Sequence, residues 1–487
     1  MRYLSLALTL VSIAALGLCL GLAAIRFSHP FELEWMEGGM LQHVERVLQG
    51  DGLYVAPSLD FMAFPYTPLY AYLCALVALP LGADFQTLRL VSIVAMLACF
   101  ALLFAIVRRE SGSRQAGLVA AGLFAATYEF SGSWFDVARV DSLSLALVLA
   151  GIFLAQGRDG RARPGWAGAL LFLAFMAKQS ALGPAAGILL ALLIRNRREA
   201  LRFGLGFTAA VTLSTLVFEQ LSDGWYRWHV FDLLAGHPRH APAVLGFWIE
   251  LARGLGPAFV ASIWIALRRR PAEGRDPYFL IVGASLVLSA WVGRMHVGGY
   301  LNTLMPAALA AALFVGLSLT RATDPAREPV AWRRALLVGA LLLQFALLAF
   351  DPRSKLPTAA DRQAGEGIVA RLAALDGEAW IPSHGYLAAR AGHPFGAHSM
   401  AITDLLKSAD HATAGAFVEQ LVAALAAQRY RWIVLDDLSW EQELDPLSAN
   451  YVRTGTLLGL DEPELFAPRT GENLRPLYVY EPRSGVR

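Results

Sequence analysis

Long apolar segments recur along this chain, and short polar stretches rich in arginine separate many of them. A helix needs roughly 20 apolar residues to cross the hydrocarbon core of a bilayer. The composition agrees, because 56% of the 487 residues are hydrophobic and only 16% are charged, against roughly a quarter charged in soluble domains. The pattern predicts a mainly helical, polytopic membrane protein with about eleven crossings, at residues 4–25, 88–107, 116–130, 142–154, 166–177, 182–194, 203–221, 247–267, 278–292, 304–319 and 335–350.

The positions of the arginines predict the orientation of these crossings, since cytoplasmic loops keep an excess of Lys and Arg during insertion. With the N-terminus inside, the clusters at residues 108–114, 158–163, 195–202, 268–275 and 321–334 all fall in cytoplasmic loops. The opposite loops carry scattered basic residues and many carboxylates. The sequence therefore predicts a multi-pass protein of the inner (plasma) membrane with an acidic outer face.

Two apolar stretches, residues 70–81 and 166–194, do not fit a simple pattern of single crossings. If residues 70–81 were a crossing, every later arginine cluster would move outside, so we expect an interfacial helix within a large first outer loop, residues 26–89. Residues 166–194 must go out and back, and the turn between the two halves contains Lys178. A lysine at membrane depth is costly unless it faces a wet cavity or a partner, which marks a functional site. The alternative is a lysine that snorkels to the outer headgroups.

Hydropathy drops after residue 350, and the remaining sequence has a different character. Strand patterns at residues 379–382, 432–435 and 477–480 alternate with helical patterns around residues 360–375 and 413–427. The sequence thus predicts a membrane domain at residues 1–350 and a small soluble extracytoplasmic α/β domain at residues 351–487.

Charge and cysteine content exclude two classes of function. The net charge is +2, and the basic residues lie in separate clusters instead of along one face, so a nucleic-acid partner is not expected. Cys19, Cys74 and Cys99 lie inside or beside apolar segments without a CxxC pair. This spacing indicates neither a disulfide framework nor a thiolate metal site.

Carboxylates follow the first predicted crossing closely. Glu34 and Glu37 are three residues apart, so a helix that begins near Trp35 would place them on one face. A carboxylate at the membrane surface suits a general base that removes a proton from an acceptor hydroxyl. The structural alternative is a helix N-terminus whose acids complement the helix dipole.

A second cluster, Asp136, Arg139 and Asp141, lies in the outer loop before residues 142–154. Asp141 could simply cap the following helix. Arg139 favours a binding role, because a guanidinium and an acid at one depth can bind a phosphate and a sugar hydroxyl, respectively. For Asp136, an ion pair that stabilises the loop is an equal alternative.

The last outer loop of the membrane region, residues 293–302, has features of a ligand site. Gly298 and Gly299 let a backbone approach a ligand closely. Arg294 and His296 are candidates to neutralise a leaving phosphate, and Tyr300 is a candidate for donor binding in the same loop. An ordinary hydrogen-bonded histidine is the alternative for His296.

Together these segments resemble the C-type (GT-C) membrane glycosyltransferases, the superfamily that includes protein O-mannosyltransferases and lipid A aminoarabinose transferases. The resemblance covers residues 1–319. In that superfamily the first-loop acids usually form an Asp-Glu pair, whereas Met36 and Glu37 stand here, so the base is open between Glu34 and Glu37. The segments that carry the resemblance are the acidic first loop with its amphipathic helix and Gly50, Pro65-Tyr66-Thr67-Pro68-Leu69-Tyr70, Ala138-Arg139-Val140-Asp141 and Ala177-Lys178-Gln179.

The resemblance implies an inverting hexosyl- or pentosyltransferase that takes its sugar from a polyprenyl-phosphate donor. The acceptor would be an envelope lipid, polysaccharide or protein on the extracytoplasmic side. No cofactor is certain, because some relatives use a divalent metal and many need none. The implied catalytic acids are Glu34 or Glu37 together with Asp141, and the implied donor-binding residues are Arg139, Lys178, Arg294, His296 and Tyr300, with Tyr66 and Asp136 as further candidates.

A multi-pass transporter or lipid flippase is the alternative function. Such a protein also places polar groups at membrane depth, and many transporters have inverted repeats with broken helices in both halves. The sequence shows one interrupted hairpin, at Lys178, and no repeat of fixed period. The pattern therefore favours the enzyme.

Overall fold

The computed structural model describes residues 2–157, 162–267, 277–323, 330–440 and 445–484. Helices dominate the region that precedes residue 350. They are α1 (Arg2–Phe27), α2 (Glu37–Gln49), α3 (Leu69–Leu81), α4 (Phe85–Ser111), α5 (Arg114–Ala126), α6 (Asp141–Ala155), α7 (Pro164–Ala177), α8 (Leu182–Arg195), α9 (Arg197–Leu221), α10 (Trp225–Arg227), α11 (Leu233–Ala235), α12 (Ala241–Leu267), α13 (Tyr278–Arg294), α14 (Met305–Thr323) and α15 (Ala331–Leu347). Short 3₁₀ turns occupy Gln179–Ala181 and Leu301–Leu304, and a π-helical turn occupies Trp228–Asp232.

The remaining residues form a small sheet with helices around it. A 3₁₀ turn at Pro352–Lys355 leads into α16 (Ala359–Ala373), β1 (Glu378–Trp380), α17 (Gly385–Arg390), α18 (Ser399–Leu406), α19 (His411–Ala426), β2 (Tyr430–Leu435), α20 (Asp445–Asn450), β3 (Tyr451–Thr456) and β4 (Tyr478–Pro482). The strand order is β1-β2-β4-β3, with β1 parallel to β2 and the other pairs antiparallel. The three strands predicted from the sequence overlap β1, β2 and β4, whereas β3 was not predicted.

All eleven apolar segments are helical, but many of these helices are short. Among the described residues, five helices are long and apolar enough to cross a membrane, and a sixth results if the bent pair Ala331–Leu347 and Pro352–Ala373 is one span. Five further apolar helices have 10–17 residues. A helix of 14 residues is about 21 Å long, which is less than the hydrocarbon thickness of about 30 Å. The helical character is therefore confirmed, while the number of eleven crossings stays a prediction.

The arginine-rich ends of three helices lie together. Arg109 at the end of α4 donates to the backbone oxygen of Phe153 at 2.8 Å. Arg195 at the end of α8 donates to the side chain of Gln156 at 3.0 Å and to the backbone oxygen of Ala155 at 2.8 Å. The C-terminal ends of α4, α6 and α8 thus share one end of the bundle, as the topology prediction requires. Arg158, Arg161, Arg268, Arg269, Arg270, Arg275 and Arg327 of the predicted cytoplasmic clusters lie outside the described residues.

Local sequence signals explain both ends of α4 and its tight connection to α5. The carboxylate of Asp84 accepts a hydrogen bond from the backbone N–H of Thr87 at 2.7 Å and caps α4. Gly112 ends α4 with a φ of 72°, a left-handed conformation that glycine adopts without a steric cost. Ser113 then caps α5. The antiparallel pair therefore needs only two linking residues.

The C-terminal residues pack directly on the first loop of the membrane region. Nδ1 of His384 lies 2.6 Å from Oε2 of Glu32, and Nε2 lies 3.1 Å from Oδ1 of Asp436. Arg26 donates to the hydroxyl of Thr470 at 2.9 Å. These buried contacts fix α17 and the segment around Thr470 against α1 and the loop that follows it.

The stability of this contact should depend on pH. Burial alone lowers the pKa of His384, but the negative charges of Asp436 and Glu32 outweigh it and raise the pKa to about 10. A histidine that is unfolded titrates near about 6.5, so the folded state binds this proton more tightly. The stabilisation is therefore complete below about pH 6.5 and is lost as the pH rises toward about 10.

We expect the unfolding midpoint of the purified protein in detergent to fall between pH 6.5 and pH 10, and to fall less in His384→Gln. His393→Gln is the matched control, because the ring of His393 contacts a neutral backbone oxygen, that of Leu372, whereas His384 contacts two carboxylates. Parallel pH curves for His384→Gln and the wild type would contradict the assignment.

Candidate functional site

One cavity of about 900 Å³ lies among α8, α13, α18 and several loops that connect the membrane helices. Part of its wall is apolar and runs between α8 and α13, where Leu182, Ala186, Leu190, Ile281 and Leu288 line it. The charged side chains and most of the other polar ones come from loops and from α18 at the other end, while Ser285 and Ser289 belong to α13. The polar end includes Tyr66, Arg139, Lys178, His296, Tyr300, Asn302 and Asp404. The cavity therefore offers an apolar channel with a polar head.

Arg139 is held in the cavity wall by Glu34. Nη1 of Arg139 lies 3.1 Å from each oxygen of the Glu34 carboxylate, and Nη2 donates to the hydroxyl of Tyr66 at 2.7 Å. Glu34 is fully buried and does not line the cavity. Burial raises the pKa of Glu34 to about 7, against the opposing positive charge of Arg139. The carboxylate thus supports the guanidinium from behind.

Lys178 has the same kind of support. Its Nζ lies 2.6 Å from Oδ1 of Asp141, and the side chain of Asn302 donates to the same oxygen at 3.1 Å. Asp141 is buried, whereas 18% of the Lys178 side chain is accessible. Gln179 donates to the backbone oxygens of Pro65 and Val230 at 2.7 and 3.0 Å. These bonds hold the turn between α7 and α8, so that Lys178 projects into the cavity.

Glu37 is fully buried, and both of its carboxylate oxygens accept hydrogen bonds. Its two oxygens accept from Arg89 at 2.9 and 2.5 Å, and from the backbone N–H groups of Ala138 and Leu33, both at 2.7 Å. Burial raises the pKa of Glu37, but Arg89 and these hydrogen bonds outweigh it, so the pKa lies below its usual value. Glu37 does not line the cavity. Glu37 therefore joins the loop between α1 and α2 to the loop between α5 and α6.

Two other predicted residues are engaged in ion pairs outside the cavity lining. Asp136 lies 3.0 Å from Nε of the buried Arg26 and accepts from the hydroxyl of Tyr128 at 2.8 Å. Arg294 contacts the carboxylate of Glu250 at 2.8 and 3.1 Å and donates to a backbone oxygen in its own loop. These contacts favour the loop-stabilising alternative for Asp136 and give Arg294 a partner other than a phosphate.

His296 and Tyr300 both reach the cavity. Nδ1 of His296 is buried without a hydrogen-bond partner among the described residues. The Tyr300 ring contacts Trp35 with ring centroids 5.7 Å apart and stacks on Trp134 at 6.2 Å. Gly299 must be glycine, because a Cβ atom there would lie 2.4 Å from the backbone oxygen of Gly293. The Gly-Gly turn therefore brings Tyr300 back over the end of α13.

Sequence reasoning missed four residues that build this site. Arg26 and Arg89 are isolated arginines at the predicted outer ends of crossings, where the orientation rule disfavours them. An isolated arginine at such a position in the sequence is a signal for a buried ion pair. Asn302 lay in a loop that was singled out, without a role of its own. Asp404 gave no comparable signal, because it lies in the C-terminal part of the chain.

A metal site is not evident in the described part of the chain. No group of three or more His, Cys, Asp or Glu side chains is arranged there to hold an ion.

The fold is similar to that of known membrane glycosyltransferases. The structure of ArnT from Cupriavidus metallidurans bound to undecaprenyl phosphate aligns with a TM-score of 0.56 at 13% identity, over 97% of this chain and 98% of that chain. Apo ArnT gives 0.58 at 14% identity, over 96% and 97%. AglB from Archaeoglobus fulgidus, in complex with an inhibitory peptide and a dolichol-phosphate, gives 0.50 at 13% identity, over 90% and 70%. The chain therefore has the GT-C fold of membrane glycosyltransferases.

The sequence places the chain more closely. The profile of glycosyltransferase family 87 matches residues 64–361, which is more than half of the chain. The chain belongs to glycosyltransferase family 87. A comparison with curated proteins gives no match. Family membership favours the enzyme over the transporter that the sequence left as an alternative.

The buried pair of Glu37 and Arg89 should be essential for stability. We expect Arg89→Met to lower the free energy of unfolding by about 3–5 kcal/mol, because it leaves an uncompensated buried carboxylate. The double variant Glu37→Gln/Arg89→Met should recover part of that loss, since no buried charge remains. Equilibrium unfolding in mixed detergent micelles measures both values.

The control is Arg362→Met, at an exposed ion pair with Glu366 on α16, which should change stability little. An Arg89→Met variant as stable as the control would show that the pair does not hold the loops together.

Proposed function

We propose that this chain transfers a hexosyl or pentosyl group from a polyprenyl-phosphate donor to a hydroxyl acceptor on the extracytoplasmic side of the plasma membrane. One observation carries the proposal: Arg139 and Lys178, each backed by a buried carboxylate, project into the polar head of a largely apolar cavity. The undecaprenyl phosphate of the ArnT structure and the dolichol-phosphate of the AglB structure support a ligand of this class.

The two cations suit a phosphate that gains charge during the reaction. A sugar polyprenyl phosphate is a phosphodiester with one negative charge. When the bond between the anomeric carbon and the phosphate oxygen breaks, the electron pair stays on that oxygen and the phosphate gains a second charge. Fixed positive groups stabilise this state more than the ground state, which lowers the barrier. Arg139 and Lys178 would take this role, and Tyr66 would orient Arg139.

Buried support keeps both cations in place before the donor arrives. Glu34 and Asp141 fix the direction of the two side chains, so little conformational freedom is lost when a phosphate binds. Neither carboxylate lines the cavity. The pairs therefore present hydrogen-bond donors to a ligand while the negative charges stay behind the wall.

The apolar part of the cavity suits the isoprenoid chain of the donor. Leu182, Leu190 and Leu288 lie along it, and the small residues Gly183 and Gly187 face Ser289 and Ser285 of α13. Burial of a lipid tail there gives binding energy remote from the reacting carbon. That energy would fix the sugar at the polar head, next to Tyr66 and Tyr300.

The proposed transfer inverts the anomeric carbon in one displacement. The acceptor oxygen forms a bond to the anomeric carbon as the phosphate leaves from the opposite side, and the acceptor proton passes to a base. Glu34 fits that base better than Glu37, because its pKa is raised to about 7. The contact of both its oxygens with Nη1 of Arg139 and its burial behind the wall favour a positioning role for Glu34 instead. The acceptor would be an envelope lipid, polysaccharide or protein.

The first test is binding of undecaprenyl phosphate to the purified protein. We expect Arg139→Ala and Lys178→Ala each to weaken the affinity about 10- to 100-fold, because hydrogen bonds to charged groups contribute about 1.5–3 kcal/mol. Arg362→Ala is the control, because the Arg362 side chain lies on the exposed face of α16, and this variant should bind like the wild type. Equal affinities in all four proteins would refute the phosphate site.

The second test separates transfer from transport. The wild type is incubated with radiolabelled polyprenyl-phosphate mannose, glucose or arabinose and a membrane extract. An enzyme releases free polyprenyl phosphate and moves the label to a new product, and Arg139→Ala should do neither. A flippase would leave every labelled donor intact.

A further inference from the structure

Asp404 is the one carboxylate among the described residues that line the cavity. It lies on α18, one helical turn after Met400, which also lines the cavity. Residues four apart share one face of a helix. Helix α18 therefore presents its Met400 and Asp404 face to the same space that Arg139 and Lys178 enter from the other elements.

The loops beneath α18 fix its position over the cavity. The ring of His237 contacts the backbone oxygen of Asp404 at 2.8 Å, and a Cβ atom on Gly298 would lie 3.7 Å from the Met400 side chain. The side chain of His398, which caps α18, lies 3.1 Å from the backbone oxygen of Trp35. The helix is therefore held against three loops of the membrane region.

The Asp404 side chain has an unused oxygen. The residue is 3% exposed, and its Oδ2 is buried without a hydrogen-bond partner among the described residues. A buried carboxylate oxygen is costly unless a donor satisfies it, and a bound hydroxyl would do so. Burial raises the pKa of Asp404 to about 7, with Lys407 opposing, which suits a group that gains and loses a proton near neutral pH.

We propose that Asp404 is the general base of the transfer reaction and binds the acceptor hydroxyl, so that α18 forms the acceptor side of the cavity. The inference rests on the proposed function of the same cavity. It replaces the first-loop carboxylates, which stand behind the wall, with the carboxylate that reaches the substrate space.

In the proposed step, the acceptor hydroxyl loses a proton and the donor phosphate gains an electron pair. The acceptor O–H gives its proton to Oδ2 of Asp404 while its oxygen bonds to the anomeric carbon, and the electron pair of the broken carbon–oxygen bond leaves with the phosphate. Oδ1 of Asp404 lies 4.0 Å from Nδ1 of His237. Because Nε2 of His237 faces a carbonyl oxygen and must donate, a neutral ring leaves Nδ1 free to accept. The proton thus has a nearby route away from Asp404.

Tyr300 lines the same cavity as Arg139 and Asp404. Burial raises the pKa of its hydroxyl, the charge of Glu472 and a hydrogen bond with that carboxylate raise it further, and the charges of Glu34 and Asp404 add smaller effects. A sugar beside Tyr300 would therefore occupy the space that Arg139 and Asp404 also reach.

The test compares donor binding with transfer in the full-length protein. We expect Asp404→Asn to reduce label transfer from the polyprenyl-phosphate sugars to membrane-extract acceptors about 100-fold or more, as expected for loss of a general base. The affinity for undecaprenyl phosphate should stay within about twofold, which also shows that the cavity is folded. Asp404→Glu should restore part of the rate, and Glu419→Gln, on the exposed face of α19, is the control.

Sodium azide separates a base from a structural residue, because azide attacks a carbon without giving up a proton. In Asp404→Ala, we expect azide to form a glycosyl azide, detected by mass spectrometry, at least about tenfold faster than that variant transfers sugar without azide. Arg139→Ala should show no such product, since the leaving phosphate has lost its support.

Two results would overturn the assignment of Asp404: wild-type transfer by Asp404→Asn, or loss of transfer in Asp404→Ala without any glycosyl azide. Failure of the proposed function looks different, because wild-type protein would then neither bind undecaprenyl phosphate nor consume any donor.

Discussion

The ion pair between Glu37 and Arg89 is the contact on which the rest of the site depends. It joins the start of α2 to α4, and Glu37 also accepts from the backbone of Ala138. Arg89 further binds the backbone oxygens of His29 and Phe31. An uncompensated charge in this interior would cost several kcal/mol, so both partners must be present. The pair thereby fixes the loop that carries Glu34 against the loop that carries Arg139.

Two further ion pairs, which include the cavity-lining residues Arg139 and Lys178, also hold a cation with a buried carboxylate. Glu34 with Arg139, and Asp141 with Lys178, each place an acid behind a base. A carboxylate in front would repel a phosphate, whereas a carboxylate behind directs the cation toward it without occupying its face. These pairs differ from the pair of Glu37 and Arg89 in their contact with the cavity, since Arg139 and Lys178 line it and Arg89 does not. This contact separates the two pairs that are proposed to bind phosphate from the structural pair.

The sequence was informative where a pattern depends on local composition. Apolar length located the helices, the arginine clusters grouped their ends, and a lysine at membrane depth identified Lys178. It was less informative where several loops meet. Glu34 and Glu37 look equivalent three residues apart, yet one supports Arg139 and the other pairs with Arg89, which is 52 residues further along the chain. Strand β3 was missed because only Tyr451 of its six residues is buried, so it lacks an apolar face.

The position of Asp404 explains why a boundary near residue 350 has little meaning for the chemistry. Arg139 and Lys178, at the polar end of the cavity, belong to segments that connect the membrane helices. Asp404 belongs to α18. The bonds from His384 to Glu32 and from Arg26 to Thr470 hold these parts in register. In the proposed function, a donor lipid would reach the cavity from between α8 and α13, and a separate acceptor would approach beneath α18. Changes in α18 could then alter the acceptor while the phosphate site stays the same.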